Sequence, residues 1–335
     1  MKRNMFSWLE ELKSAPNKKP LPVLSFPAIQ LINVTVNNIV SDGKIQALCM
    51  KAIAERYNTA ASVSNMDLSV EAEAFGSSII FSDYEVPTVT GSIVNTDEEA
   101  DALQIPKIGS ARTGEYLKAI EIASSEITDR PVLAGVIGPF SLCSRLAEIT
   151  EFMMKTITEP ETAHKILAKA AAFLTEYIPA FKESGANGVI MAEPAAGLLS
   201  PELCLEFSSN YIKNIIQKTE DENFIVIYHN CGNTIPLVNE ILSTGVRAIH
   251  LGNAIDLKEA INLYPKEKVI LGNLDPSGVF LNGNTESVST STRKLLEALG
   301  NYPNWVISSG CDIPPMTPIA NIDSFFETVS DYYKK

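Results

Sequence analysis

The run Phe224-Ile225-Val226-Ile227-Tyr228-His229-Asn230-Cys231-Gly232-Asn233 decides the fold. Its first half is apolar or aromatic without a break, which predicts a strand at 224–228 buried on both faces, as in a parallel sheet covered by helices. It then turns polar at once, with His229, Asn230 and Cys231 ahead of a glycine. A buried strand that ends in chemistry-bearing side chains is the pattern of the C-terminal face of an α/β barrel.

Outward from that run the pattern repeats. Apolar runs at 132–137, 188–191, 247–251, 268–271 and 305–308 alternate with stretches of helical period. In one of these stretches Leu167, Ala171, Leu174, Ile178 and Phe181 fall on a single face. Two further strands are expected upstream, at 21–26 and 61–65, which brings the total to eight. The reading is an α/β fold, a (β/α)8 TIM barrel forming a single domain over 1–335, with an insertion after the second strand at about 76–130. Inside the insertion, 78–81 and 87–94 predict a hairpin, and Tyr116, Ile120, Ala123 and Ile127 predict a helix face.

Polar residues follow the other strands as they follow 224–228. Gly138-Pro139, Glu193-Pro194, Gly252-Asn253, Gly272-Asn273 and Gly310-Cys311-Asp312 each lie just beyond an apolar run. A barrel gathers all of these on one rim, which points to an enzyme.

The 335 residues are 45% hydrophobic, enough for a large core. A net charge of −13 argues against partners with an anionic backbone or surface, so neither nucleic acid nor membrane is expected. The N-terminus is basic, but Phe6, Trp8, Leu9 and Leu12 predict an amphipathic helix rather than a signal peptide. No stretch approaches the roughly 18 apolar residues of a membrane span. Five cysteines at irregular spacing make no disulfide framework, and a reducing cytoplasm is the expected location.

Metal chemistry centres on His229, Cys231 and Cys311. With three histidines and five cysteines, a His-x-Cys pair arises by chance in roughly one sequence in twenty, so the pair alone decides nothing. Its place beyond a strand, with Cys311 at the equivalent place beyond the last strand, makes a three-ligand site. Thiolate with imidazole favours zinc, and three protein ligands leave a position open for a substrate thiol. The competing reading makes one cysteine a buried apolar filler, the role expected of Cys49, Cys143 and Cys204. His250, inside a strand, reads as a hydrogen-bonded buried imidazole, and His164 as an ordinary helix residue.

Several segments together resemble the uroporphyrinogen decarboxylase superfamily. They are His229-Asn230-Cys231-Gly232-Asn233, Leu271-Gly272-Asn273-Leu274-Asp275-Pro276 and the run from Ser309-Gly310-Cys311-Asp312 to Pro318, with Asp67 to Gly76, Gly138 to Leu142 and Ser200-Pro201-Glu202 in support. The resemblance runs from about residue 60 to the C-terminus. It is closest to the zinc-dependent corrinoid methyltransferase branch, which includes the methylcobamide:coenzyme M methyltransferases. It implies zinc at His229, Cys231 and Cys311, a methylcorrinoid carried by a partner protein as methyl donor, and a thiol such as coenzyme M or another small molecule as acceptor. Two departures separate the chain from the true decarboxylases. Residues 21–37 contain no arginine, where the decarboxylases carry an Arg-rich motif, and their C-terminal Gly-His-Gly is replaced by Gly310-Cys311-Asp312. Phe81-Ser82-Asp83 nevertheless resembles the decarboxylase motif whose Asp binds pyrrole N–H groups. The alternatives are therefore uroporphyrinogen decarboxylase-type decarboxylation, and a tetrapyrrole-binding protein with a structural zinc.

Other site candidates rest on position. Glu193 is a candidate fourth ligand that substrate displaces, or an acid or base. Asp83 faces the cavity or stands in solvent, and Arg145 contacts an anionic substrate or is a solvated helix residue. Of Glu71 and Glu73, alternating in a helix, one is expected to point inward. Asn253, Asn273 and Asp275 line the mouth or cap helices.

Overall fold

The computed structural model describes residues 2–334. The apolar runs become β1 (Ser62–Val63), β4 (Val132–Ile137), β5 (Gly188–Ala192), β6 (Ile225–Asn230), β7 (Ala248–Leu251), β8 (Val269–Leu274) and β9 (Trp305–Ser309), while β2 (Ser78–Ile80) and β3 (Thr88–Thr90) stand apart as a hairpin. The seven form one curled parallel sheet in the order β1-β4-β5-β6-β7-β8-β9. Every residue of β4 to β9 is buried, as uninterrupted apolar runs require.

Side chains alternate between two cores. Leu133, Ile190, Ile225, Ile227, Ala248, Leu271 and Val306 fill the concave side, where the N-terminal helix Met5–Ser14 adds Met5, Trp8, Leu9 and Leu12. Asn4 caps that helix by accepting from the Ser7 N–H. The intervening residues, such as Val226, Tyr228, Ile249 and Trp305, pack outward in the other core. The helix Pro160–Glu183 buries Leu167, Leu174, Ile178 and Phe181 there, on the face expected from their spacing.

The strand expected at 21–26 does not form. Pro20 and Pro22 lack an N–H and cannot complete a ladder. The chain runs extended instead, with the Leu21 N–H donating to the Ile307 carbonyl in β9 and the Pro20 carbonyl accepting from Ala60, just ahead of β1. This segment therefore touches both edges of the seven-stranded sheet. β1 is also shorter than expected, because the Gly135 N–H donates to the Ser64 hydroxyl rather than to a backbone carbonyl. Among the described residues, no helix is long and apolar enough to cross a membrane.

Candidate functional site

His229 shares the inward parity of Ile225 and Ile227, so its ring points into the concave side at the C-terminal end of β6. Asn230 faces the other way and ties the turn that follows. Its Nδ2 donates to the Glu193 carbonyl at 2.6 Å, and its Oδ1 accepts from the Gly232 N–H at 2.8 Å. The loop after β7 presses on this turn at Gly252, where a Cβ would lie 2.4 Å from the Cys231 Cα, so only glycine fits. Cys311 arrives from the other direction, just beyond β9, where the Gly310 N–H donates to the Leu274 carbonyl at 2.6 Å.

The three candidate ligand atoms lie within 4.8 Å of one another. Around a tetrahedral zinc with ordinary bond lengths, imidazole nitrogen and sulfur stand about 3.6 Å apart. The His229 Nε2 to Cys311 Sγ distance is 3.5 Å. His229 is buried, while both cysteines are partly exposed, so the group is reachable from one side. A hydrogen bond from the Cys311 thiol, with the His229 ring beside it, holds the Cys231 thiol far below its ordinary pKa, and Cys231 in turn drives Cys311 well above its own. One proton of the pair leaves easily and the second is retained. Two sulfurs that resist full ionisation until positive charge arrives, beside an imidazole, suit zinc in donor type and spacing.

His250 is buried, and burial pushes its pKa well below the usual histidine value. Its Nδ1 lies 2.7 Å from His229 Nδ1, and its Nε2 lies 2.7 Å from the Ser308 hydroxyl. It is the hydrogen-bonded imidazole expected from its place in a strand. Its contact with a candidate ligand, and the part played by Ser308, were not foreseen. The signal lay in strand parity: His250 with Ala248, and Ser308 with Val306, share the inward side.

The other candidates scatter. Glu193 is fully buried, with Oε1 accepting from the Phe140 N–H and the Ser208 hydroxyl and Oε2 accepting from the Ser141 N–H. It thus caps the helix Pro139–Leu146, whose N-cap residue Gly138 has no side chain of its own. A Cβ on Gly138 would meet Glu193 Oε2 at 2.3 Å. With both oxygens turned to that helix, the carboxylate is not grouped with the three ligand atoms. Glu71 points inward and is buried, while Glu73 pairs with Arg112 at 2.5 Å, so one of the two is internal as expected. Glu71 Oε1 accepts from the Ile137 N–H at 3.1 Å, and desolvation raises its pKa to about 7.

Asp83 lies in an exposed turn. Ser82 Oγ accepts from the Tyr84 and Glu85 N–H groups, and that turn leaves Asp83 exposed between β2 and β3. Asn273 and Asp275 both hold loops. Asn273 Nδ2 donates to the Gly252 and Ile255 carbonyls, and Asp275 accepts from the Ser277 and Gly278 N–H groups as a helix cap. Asn253 is exposed at the turn after β7, its side chain against Gly310. Arg145 lies in a cleft of about 370 Å³ shared with Cys231, Gly232, Ser144, Ala195 and Leu198. Its pKa is lowered, and desolvation is the cause. A second group unforeseen from sequence is Asp312, whose Oδ2 accepts from the Met66 N–H while burial raises its pKa to about 8. Cys49, Cys143 and Cys204 are buried, as small core residues are.

Comparison with known proteins gives this arrangement its relatives. Methylcobamide:CoM methyltransferase MtbA of Methanosarcina mazei is 31% identical over 271 residues, covering 79% of this chain and 78% of that protein. Uroporphyrinogen decarboxylase of Alcanivorax borkumensis is 24% identical over 298 residues, covering 84% of this chain and 81% of that protein. Among solved structures, a methyltransferase from Methanosarcina mazei superposes with a TM-score of 0.86 over 99% of this chain and 98% of that one, at 23% identity. The sequence profile of the family named Uroporphyrinogen decarboxylase (URO-D) matches residues 26–332, nearly the whole chain, and the protein belongs to that family.

Proposed function

We propose that the protein is a zinc-dependent methyltransferase that moves a methyl group from a protein-bound methylcorrinoid to a thiol, such as coenzyme M, or to another small acceptor. The observation that carries this reading is the group of His229, Cys231 and Cys311, partly exposed beside the cleft that holds Arg145. A zinc ion held there supplies the charge that keeps an acceptor thiol ionised at neutral pH. The protein's own contribution is positional. Two thiolates and a neutral imidazole bind the ion and balance its charge, and no fourth protein ligand joins them among the described residues. Arg145, in the cleft that Cys231 also lines, binds and orients the anionic end of the acceptor. Ile149, Pro194 and Leu198 give the cleft apolar walls. The chain acts as one barrel domain over 1–335 with its insertion at about 76–130, in the cytoplasm, and its partner is the corrinoid protein.

Protein prepared without added metal is expected to carry close to one zinc per chain, and Cys311→Ser to lose it. Metal-free wild-type protein, or a Cys311→Ser variant with unchanged metal content, would overturn the reading. For Arg145→Ala, a KM for an anionic thiol raised about tenfold or more is expected, with kcat little changed and an uncharged thiol unaffected. Uroporphyrinogen decarboxylation is the second reading, supported by the decarboxylases among the relatives. The exposed Asp83 weighs against it, and no coproporphyrinogen is expected from uroporphyrinogen in the presence of chelator. A structural zinc in a tetrapyrrole-binding protein would show no proton release when thiols are added, whereas release is expected here.

A further inference from the structure

Two of the chain's three histidines touch, and the contact extends in both directions. The parallel register sets His229 of β6 opposite His250 of β7, with both rings turned inward. From His250 the chain of contacts runs through Nε2 to the Ser308 hydroxyl at 2.7 Å, and from there to the Leu21 carbonyl at 2.7 Å. His250 and Ser308 are wholly buried and His229 is 2% exposed, so solvent offers these groups no other partners.

We propose that Leu21, Ser308 and His250 form a hydrogen-bond chain that fixes His229 as the tautomer whose Nε2 lone pair is free for the metal, which makes His250 and Ser308 positioning residues of that centre. Each link follows from donor and acceptor chemistry. A carbonyl only accepts, so the Ser308 hydroxyl hydrogen points to Leu21 and its lone pairs face His250. His250 Nε2 is then the ring's N–H, which leaves Nδ1 as acceptor in the neutral imidazole. Across 2.7 Å, His229 Nδ1 must be the donor, and a second acceptor, the His250 carbonyl, lies 3.2 Å from it. His229 Nε2 then carries a lone pair and faces Cys311 Sγ at 3.5 Å. The chain begins on a main-chain carbonyl, which no titration can reverse. Partners of this kind behind a metal-ligating histidine set ring orientation and basicity, and their loss ordinarily weakens metal binding about 10- to 100-fold.

The inference rests on the metal reading of the site, and its test separates the two. Zinc affinity is measured on full-length protein by competition with a chromophoric chelator. His250→Leu, close in volume but without an acceptor, is expected to weaken zinc about 10- to 100-fold. His250→Asn is smaller, yet its Oδ1 can take the place of Nδ1, and it should return to within a few fold of wild type. Ser308→Ala should weaken zinc by several fold, and it serves if His250→Leu fails to fold by circular dichroism. With only three histidines, long-range 1H–15N spectra of labelled, zinc-free protein report each tautomer directly. A His229 ring protonated at Nδ1 and a His250 ring protonated at Nε2 are expected. The proposal falls if zinc-binding wild-type protein shows His229 protonated at Nε2, or if affinity follows side-chain volume so that Leu outperforms Asn. Wild-type protein that takes up no zinc would remove the metal reading, while the spectra would still decide the hydrogen-bond chain.

Discussion

Glu71 places a carboxyl where water does not reach, with Oε2 unpartnered among the described residues. Its pKa of about 7 lies above the ordinary value, so between pH 4.5 and 7 the folded protein holds a proton that the unfolded chain has lost. Stability attributable to this residue is therefore greatest below the unfolded pKa and declines as pH rises toward the folded one. Glu71→Gln keeps the acceptor for the Ile137 N–H and removes the titration. It should stabilise the protein at pH 8 by up to about 3 kcal/mol and give little benefit below pH 5, as read from urea unfolding at the two pH values. An equal effect at both would show that burial of charge is not what Glu71 costs.

At the scale of elements, the helix Pro139–Leu146 depends on a residue far along the chain. Glu193→Ala would leave the Phe140 and Ser141 N–H groups buried without their acceptor. The cost should be about 2–5 kcal/mol, visible as a lower urea midpoint with an unchanged slope. Such a partnership was illegible in the sequence: Glu193 beyond an apolar run looks the same whether it faces a ligand or a helix end. The strands were legible because two-sided burial writes itself as an unbroken apolar run, and β4 forms over 132–137 as its residues predict. His229, Cys231 and Cys311 were legible because thiol and imidazole have few other reasons to gather on one rim. Asn273 and Asp275 were left between mouth and cap because a polar side chain after a strand serves a loop's backbone as readily as a ligand. The segment at 21–26 was misread because its apolar content was weighed above the two prolines that deny it a ladder.

Over the whole molecule, the three proposed metal ligands join separate parts of the sheet, His229 and Cys231 from the end of β6 and Cys311 from the end of β9. A ligand that binds only the folded state stabilises it in proportion to the logarithm of its excess over Kd. Zinc at a thousandfold excess over Kd adds about 4 kcal/mol, so stripping it should lower the Tm by on the order of 10 °C in calorimetry, while Cys311→Ser should show no response to zinc. The extended segment at 20–23 has a different consequence. Its Leu21 carbonyl takes a hydrogen bond from Ser308, 287 positions later in the sequence. During synthesis the ribosome releases Leu21 long before β9 exists, so the nascent protein must carry this segment without its partner and leave the edges of its growing sheet uncovered. Aggregation is most threatening in that interval, and a chaperone that shields strand edges should matter more for making this protein than for maintaining it.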